Sequence, residues 1–250
     1  MTERGDSASS VEEYLQYLLD DAGIGLEEIT DRDIGEGVLE PDFRSQLIAI
    51  RIVLERNREA EGKLTAEIKK LEADIRERGG NAWMVDHWVD KLHSSTFLDA
   101  THSMAAVGLI APLMESLFGR IVRHFTDEQT WESSRRKHGV VNAFLQIAED
   151  IDLRRLLPDD LDTTVRALFE YRNKMFHGGL EWPEKDRARF ANRIHSEGWE
   201  DCFSLAHSGN EPWFFYMTRG FVERCLETFY EIIDGVGVHT RIVWDEDPGI

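Results

Sequence analysis

Between Asp42 and about Arg78 the sequence reads as one long helix, and this stretch limits the possible folds more than any other. Leu47, Ile50, Leu54, Asn57, Glu61, Leu64, Ile68, Leu71 and Ile75 recur three and four residues apart, the spacing of a helical seam. The middle of the seam is polar, at Asn57 and Glu61, and Gly79-Gly80 ends the helix. Two arrangements satisfy this pattern: an amphipathic helix lying on its own domain, or a coiled coil that pairs with a second copy.

Around this helix the chain continues to read as helical. Residues 1–8 form a loose tail, and Ser9-x-x-Glu12 offers a capping box for a short helix ending near Gly23. Residues 23–41, with four glycines, Pro41 and many acids, read as a connector with one helical turn. Beyond Gly80 the composition turns aromatic and apolar. Helices are predicted over Trp83–Leu92, Phe97–Phe125 (with Pro112 as a kink), Val140–Ala148, Leu161–His177, from Pro183 to about His195, and over Arg219–Ile233. Phe203–Leu205 and Trp213–Tyr216, separated by Ser208-Gly209-Asn210, predict a hairpin, and Thr240–Trp244 a short closing strand. The expected fold is mainly α: a helical bundle over residues 81–250, a small β-hairpin, and an N-terminal helical, coiled-coil-like extension over residues 1–80.

A hydrophobic content of 42% supports a real core, and 31% charged residues without low-complexity tracts argue against global disorder. The polar, acidic N-terminus is unlike a secretory signal, and the apolar run Met104–Met114 is too short to cross a bilayer, so a cytoplasmic protein is expected. Cys202 and Cys225 have no metal-ligand or redox spacing, which suits a reducing compartment. The net charge of −19 opposes binding to a phosphate backbone unless bases are gathered locally. Candidates are Arg120, Arg123 and His124; Arg135, Arg136, Lys137 and His138; and Lys185, Arg187, Arg189 and Arg193.

Within the helix predicted to end at Gly178-Gly179, Arg172 is followed by Asn173 and, five positions after the arginine, by His177. Spacing alone is not distinctive: about two arginine–histidine pairs at such spacings are expected by chance, and Arg189 with His195 makes a second. The asparagine beside Arg172 and the placement at a helix end single out the first. The segment resembles the HEPN signature, an arginine, commonly a polar residue, then a histidine after four to six intervening residues. The resemblance covers roughly residues 95–235 and has no counterpart for residues 1–80. It implies a bundle of four or five helices, a metal-independent endoribonuclease with no cofactor, and a composite site formed where two copies pair. It further implies a toxin or antiviral-defence setting, with RNA as substrate and an antitoxin or regulatory protein as a partner.

The residue types suit that chemistry. Histidine titrates near neutrality and can take a proton from the ribose 2′-hydroxyl or give one to the leaving 5′-oxygen. A helix C-terminus is expected to favour its charged form. The guanidinium of Arg172 suits the non-bridging phosphate oxygens. Asn173 can orient His177 or the ribose, and Lys174 adds a phosphate contact. Five residues along a helix turn a side chain by about 140° and advance it about 7.5 Å, so Arg172 and His177 do not share a face. A two-fold axis supplies the simplest convergence.

Glu115, inside the apolar run, is expected to face the core, where it could pair with Arg172 or orient His177. His87, Asp90 and His93 stand three apart but lack a matching ligand set, so no metal is expected. The pairs Gly23/Gly25, Gly35/Gly37 and Gly235/Gly237 lack the third glycine of a phosphate loop. Trp213–Tyr216 reads as a buried hairpin strand rather than a base-stacking platform. The rival reading is a non-catalytic scaffold with Arg172 and His177 structural. A nucleotide-sensing module, with a closed pocket beside the motif, is a third.

Overall fold

The computed structural model describes residues 29–39, 42–178, 182–208 and 211–246. The expected N-terminal tail and capping-box helix lie outside them. The fold is mainly α-helical with one two-stranded antiparallel sheet, as the sequence predicts. In chain order the elements are α1 (Asp31–Leu39), α2 (Phe43–Arg78), α3 (Ala82–Phe125), α4 (Glu128–His138), α5 (Val140–Asp150), a 3-10 turn (Arg154–Leu156), α6 (Leu161–Gly178), α7 (Glu184–Glu197), β1 (Phe203–Ser208), β2 (Glu211–Met217) and α8 (Arg219–Glu246).

The chain forms two compact units, each built from separated segments. Met1–Leu47, Pro112–Arg166 and Arg224–Ile250 make the first; Ile48–Ala111 and Ala167–Glu223 make the second. The boundaries fall inside α2, α3, α6 and α8, and the turn after Gly79 lies within the second unit.

In the first unit, Phe118 of α3 stacks on Phe144 of α5 at 3.9 Å, and Phe43 meets Phe229 of α8 edge-on at 5.4 Å. The segment expected to be a connector is instead a helix, α1, with Ile34, Val38 and Leu39 buried. Its glycines are packing devices. A Cβ at Gly35 would overlap the carbonyl oxygen of Ile233, and one at Gly237 of α8 would overlap the carbonyl oxygen of Asp31. Bidentate Arg32–Asp234 bonds of 2.8 and 2.6 Å and an Arg241–Asp31 pair at 2.9 Å flank this contact.

The expected strand Thr240–Trp244 is corrected: α8 continues helical through Glu246. The β-branched residues there follow tertiary packing rather than propensity. Val236 is buried, Thr240 is buried with its hydroxyl bound to the Val236 carbonyl, and His239 Nε2 lies 2.9 Å from the carbonyl of Ile151. Helix α4, unforeseen in the sequence, carries one buried apolar residue, Trp131, and its N-cap Asp127 accepts from the Thr130 amide.

In the second unit, α2 and α3 follow each other through the glycine turn, and Lys91 binds Glu67 across them at 2.6 Å. Along the α2 seam, Ile50 and Leu54 are buried and Leu64, Ile68, Leu71 and Ile75 are half-buried. The two helices expected on either side of His93 are one. Ser94 and Thr96 return their hydroxyls to the carbonyls four residues back and so remain within the helix. The continuous helix contains an 18-residue window apolar enough to span a bilayer, and 61% of that window is buried inside the protein. Antiparallel β1 and β2 pair Phe203 with Met217 and Leu205 with Phe215, with a bulge at Ala206/His207.

Candidate functional site

The motif occupies the last two turns of α6, in the second unit. The inward face of those turns is apolar: Tyr171 and Met175 are fully buried. Tyr171 lies among Trp182, Phe190 of α7 and Phe203 of β1, at ring distances of 6.3, 6.2 and 5.1 Å. Its hydroxyl donates to the Phe215 carbonyl at 2.9 Å. Buried Ser103 of α3 bonds to the same phenol, and its hydroxyl accepts from the Met217 amide at 2.9 Å. Burial holds the Tyr171 phenol un-ionised, well above the ordinary range. This closed polar network joins α6, α3 and β2 and fixes the motif's azimuth. Ser103→Ala leaves the Met217 amide buried without its partner and is expected to cost about 1–3 kcal/mol, read in a denaturant melt.

With that face fixed, the outward arc presents Arg172, Asn173, Phe176 and His177. Arg172 is half-buried, and its Nη1 donates to Asn173 Oδ1 at 3.4 Å, a weak contact. Asn173 and His177 are four apart and exposed. No side-chain hydrogen bond or ion pair engages the His177 imidazole among the described residues. Phe176, between them, is 59% exposed, and its ring tip lies 3.5 Å from the Cβ position of Gly108. Arg172 and His177 share no bond, as helical geometry requires.

The remaining sequence candidates lie elsewhere. Lys174 Nζ binds Asp186 of α7 at 2.6 Å and sits 5.1 Å from the Trp182 ring centre. Its hydrogen bond holds the Asp186 carboxyl below the ordinary range. A phosphate contact by Lys174 would compete with that carboxylate, and its evident role is to pin α7 to the end of α6. Glu115 belongs to the first unit, where its carboxylate accepts from Arg135 of α4 at 3.2 Å. Half-buried Glu115 therefore faces a partner of its own rather than an apolar core. His195, of the second arginine–histidine pair, has its Nδ1 3.1 Å from Glu200. His87 stacks on Trp83 and His93 meets Trp213 edge-on, so these rings serve aromatic contacts.

Several of the expected basic groups are ion-paired locally: Arg123 with Glu128, Arg135 and Arg136 with Glu132, and Arg193 with Glu170. On α7 Lys185 and Arg189 are exposed and lie near enough to Asp186 to lower its pKa. The second unit thus carries cations around the end of α6 despite the acidic whole. No protein-family model matches this chain, and neither a curated protein nor a solved structure shows significant similarity to it.

Proposed function

We propose that the protein is a metal-independent endoribonuclease of HEPN type, acting as a dimer in the toxin or antiviral-defence setting that the resemblance implies. The observation that carries this reading is the outward arc of α6. An imidazole without a side-chain partner among the described residues and a half-buried guanidinium project from a helix end whose opposite face is locked in the core. His177 supplies proton transfer while the ribose 2′-oxygen bonds to phosphorus and the 5′-oxygen departs. Arg172 stabilises charge on the non-bridging oxygens, and Asn173 orients the imidazole or the ribose. Since Arg172 and His177 diverge on one helix, each site takes its arginine from one copy and its histidine from the other. Exposed Lys185 and Arg189 offset the global charge of −19 near the site.

The test is cleavage of single-stranded and structured RNA by the purified protein in excess EDTA, beside His177→Ala. Cleavage by wild type that the variant lacks supports the assignment; equal cleavage by both removes it. One observation favours a second reading. The exposed rings and side chains of Phe176 and Leu109 suit a protein contact, and a protein inactive on RNA with an intact dimer would be a scaffold using that surface.

A further inference from the structure

The polar interruption of the α2 seam opens onto a cavity of about 380 Å³ within the second unit, lined by Arg58 and Glu61 of α2, Asp99 and His102 of α3, Tyr216 of β2 and Arg219 at the start of α8. We infer that this cavity binds a small organic cation, an alkylammonium or guanidinium, through Glu61 and Asp99, with Tyr216 as an aromatic wall.

The charges around the cavity differ in whether they are already paired. Arg58 donates to Glu223 at 2.5 Å and to Glu55 at 3.4 Å, and Arg219 also acts on Glu223. Arg58 is therefore taken up by acids outside the cavity, and Arg219 lies exposed at the rim. Glu61 and Asp99 have no such partner: neither forms an ion pair among the described residues. Burial first, and then the charge of Glu61, raises the Asp99 carboxyl to about 6. His102 carries a buried Nδ1 with no hydrogen-bond partner. Burial, reinforced by Arg58, keeps its imidazole neutral, with the opposing effect of Glu61 smaller than that of burial. The cavity thus offers two carboxylates and a phenol ring to one ligand, a set matched to N–H donors carrying positive charge. An anion would meet two uncompensated acids.

Charge at Asp99 makes the site pH-dependent. The groups facing it are Glu61 and Arg58 from α2, His102 from α3, Tyr216 from β2 and Arg219 from α8. At pH 7.5 Asp99 is ionised; at pH 5 only about a tenth of it is. A raised carboxyl pKa lowers stability above that pKa and relieves the loss as pH falls through it. Asp99→Asn is therefore expected to raise the melting temperature at pH 7.5, with the gain fading as pH falls from about 6 to about 4.

Isothermal titration of the full chain with putrescine and agmatine, beside 1,4-butanediol and succinate, tests the assignment. Saturable binding of one cation per chain at pH 7.5 is expected, without binding of the neutral or anionic compounds. Affinity should fall about tenfold at pH 5 and at least about tenfold in Asp99→Asn. Glu61→Gln, on a half-buried α2 position, should also weaken binding and guards against misfolding of the first variant. No saturable binding of either amine, affinity unchanged in both variants, or preference for succinate would each overturn the inference.

Discussion

His177→Ala is expected to lower RNA cleavage in EDTA by at least about 100-fold while the melting temperature stays within about 2 °C of wild type. The two halves of this result come from the same geometry. The imidazole is exposed and holds no hydrogen bond or ion pair among the described residues, so its loss removes no packing. Proton transfer, by contrast, falls to His177 on the outward arc, where its neighbours are an amide, a guanidinium and a phenyl ring. Mixing is the sharper measurement. Arg172→Ala and His177→Ala are each expected to lose cleavage alone, but a mixed dimer retains one site with both residues if the site spans two copies. About a quarter of wild-type activity should return after random exchange, since half of the dimers are mixed and each has one of two sites intact. No recovery, with exchange verified, would place arginine and histidine in the same copy. His195→Ala serves as the control, because that ring is exposed and paired with Glu200.

Much of this was legible because local and tertiary signals agree. The α2 and α6 boundaries follow from apolar periodicity and the glycines at their ends, and the hairpin from its two aromatic runs. Where they disagree, sequence reasoning fails in consistent ways. Helix α4 has a single buried apolar residue and is secured by a cap and by ion pairs, so hydrophobic periodicity passes over it. The end of α8 is rich in β-branched residues, yet packing of Val236 and Thr240 holds it helical. The motif was visible, but its support was not. Ser103 gives no sign in sequence that its hydroxyl meets the Met217 amide over a hundred positions away. The sequence suggests a core-facing Glu115 that serves the motif and a Lys174 that contacts phosphate, and each has another ion-pair partner that only the fold brings near. The cavity at Asp99 did leave a trace, the polar break at Asn57 and Glu61 in an otherwise apolar seam.

The glycines carry the second large effect. Gly237→Ala is expected to destabilise the protein by about 2–4 kcal/mol and to lower its melting temperature by roughly 5–15 °C. Helix propensity argues the other way, since alanine in a helix interior is favoured over glycine by up to about 1 kcal/mol. Packing outweighs it because the new methyl would overlap the Asp31 carbonyl, a backbone atom with no rotamer to escape into. Relief requires α1 to move off α8, which exposes Ile34 and Val38 and lengthens the Arg32–Asp234 and Arg241–Asp31 pairs. Gly35→Ala meets the Ile233 carbonyl from the opposite helix and should behave in the same way. Gly62→Ala isolates the propensity effect, because a methyl there meets nothing within 4 Å, and it should stabilise by about 0.5–1 kcal/mol. Opposite signs at Gly237 and Gly62 in thermal melts would establish close α1–α8 contact as a stability determinant. A stabilised Gly237→Ala would mean that α1 does not dock against Gly237 of α8 in solution.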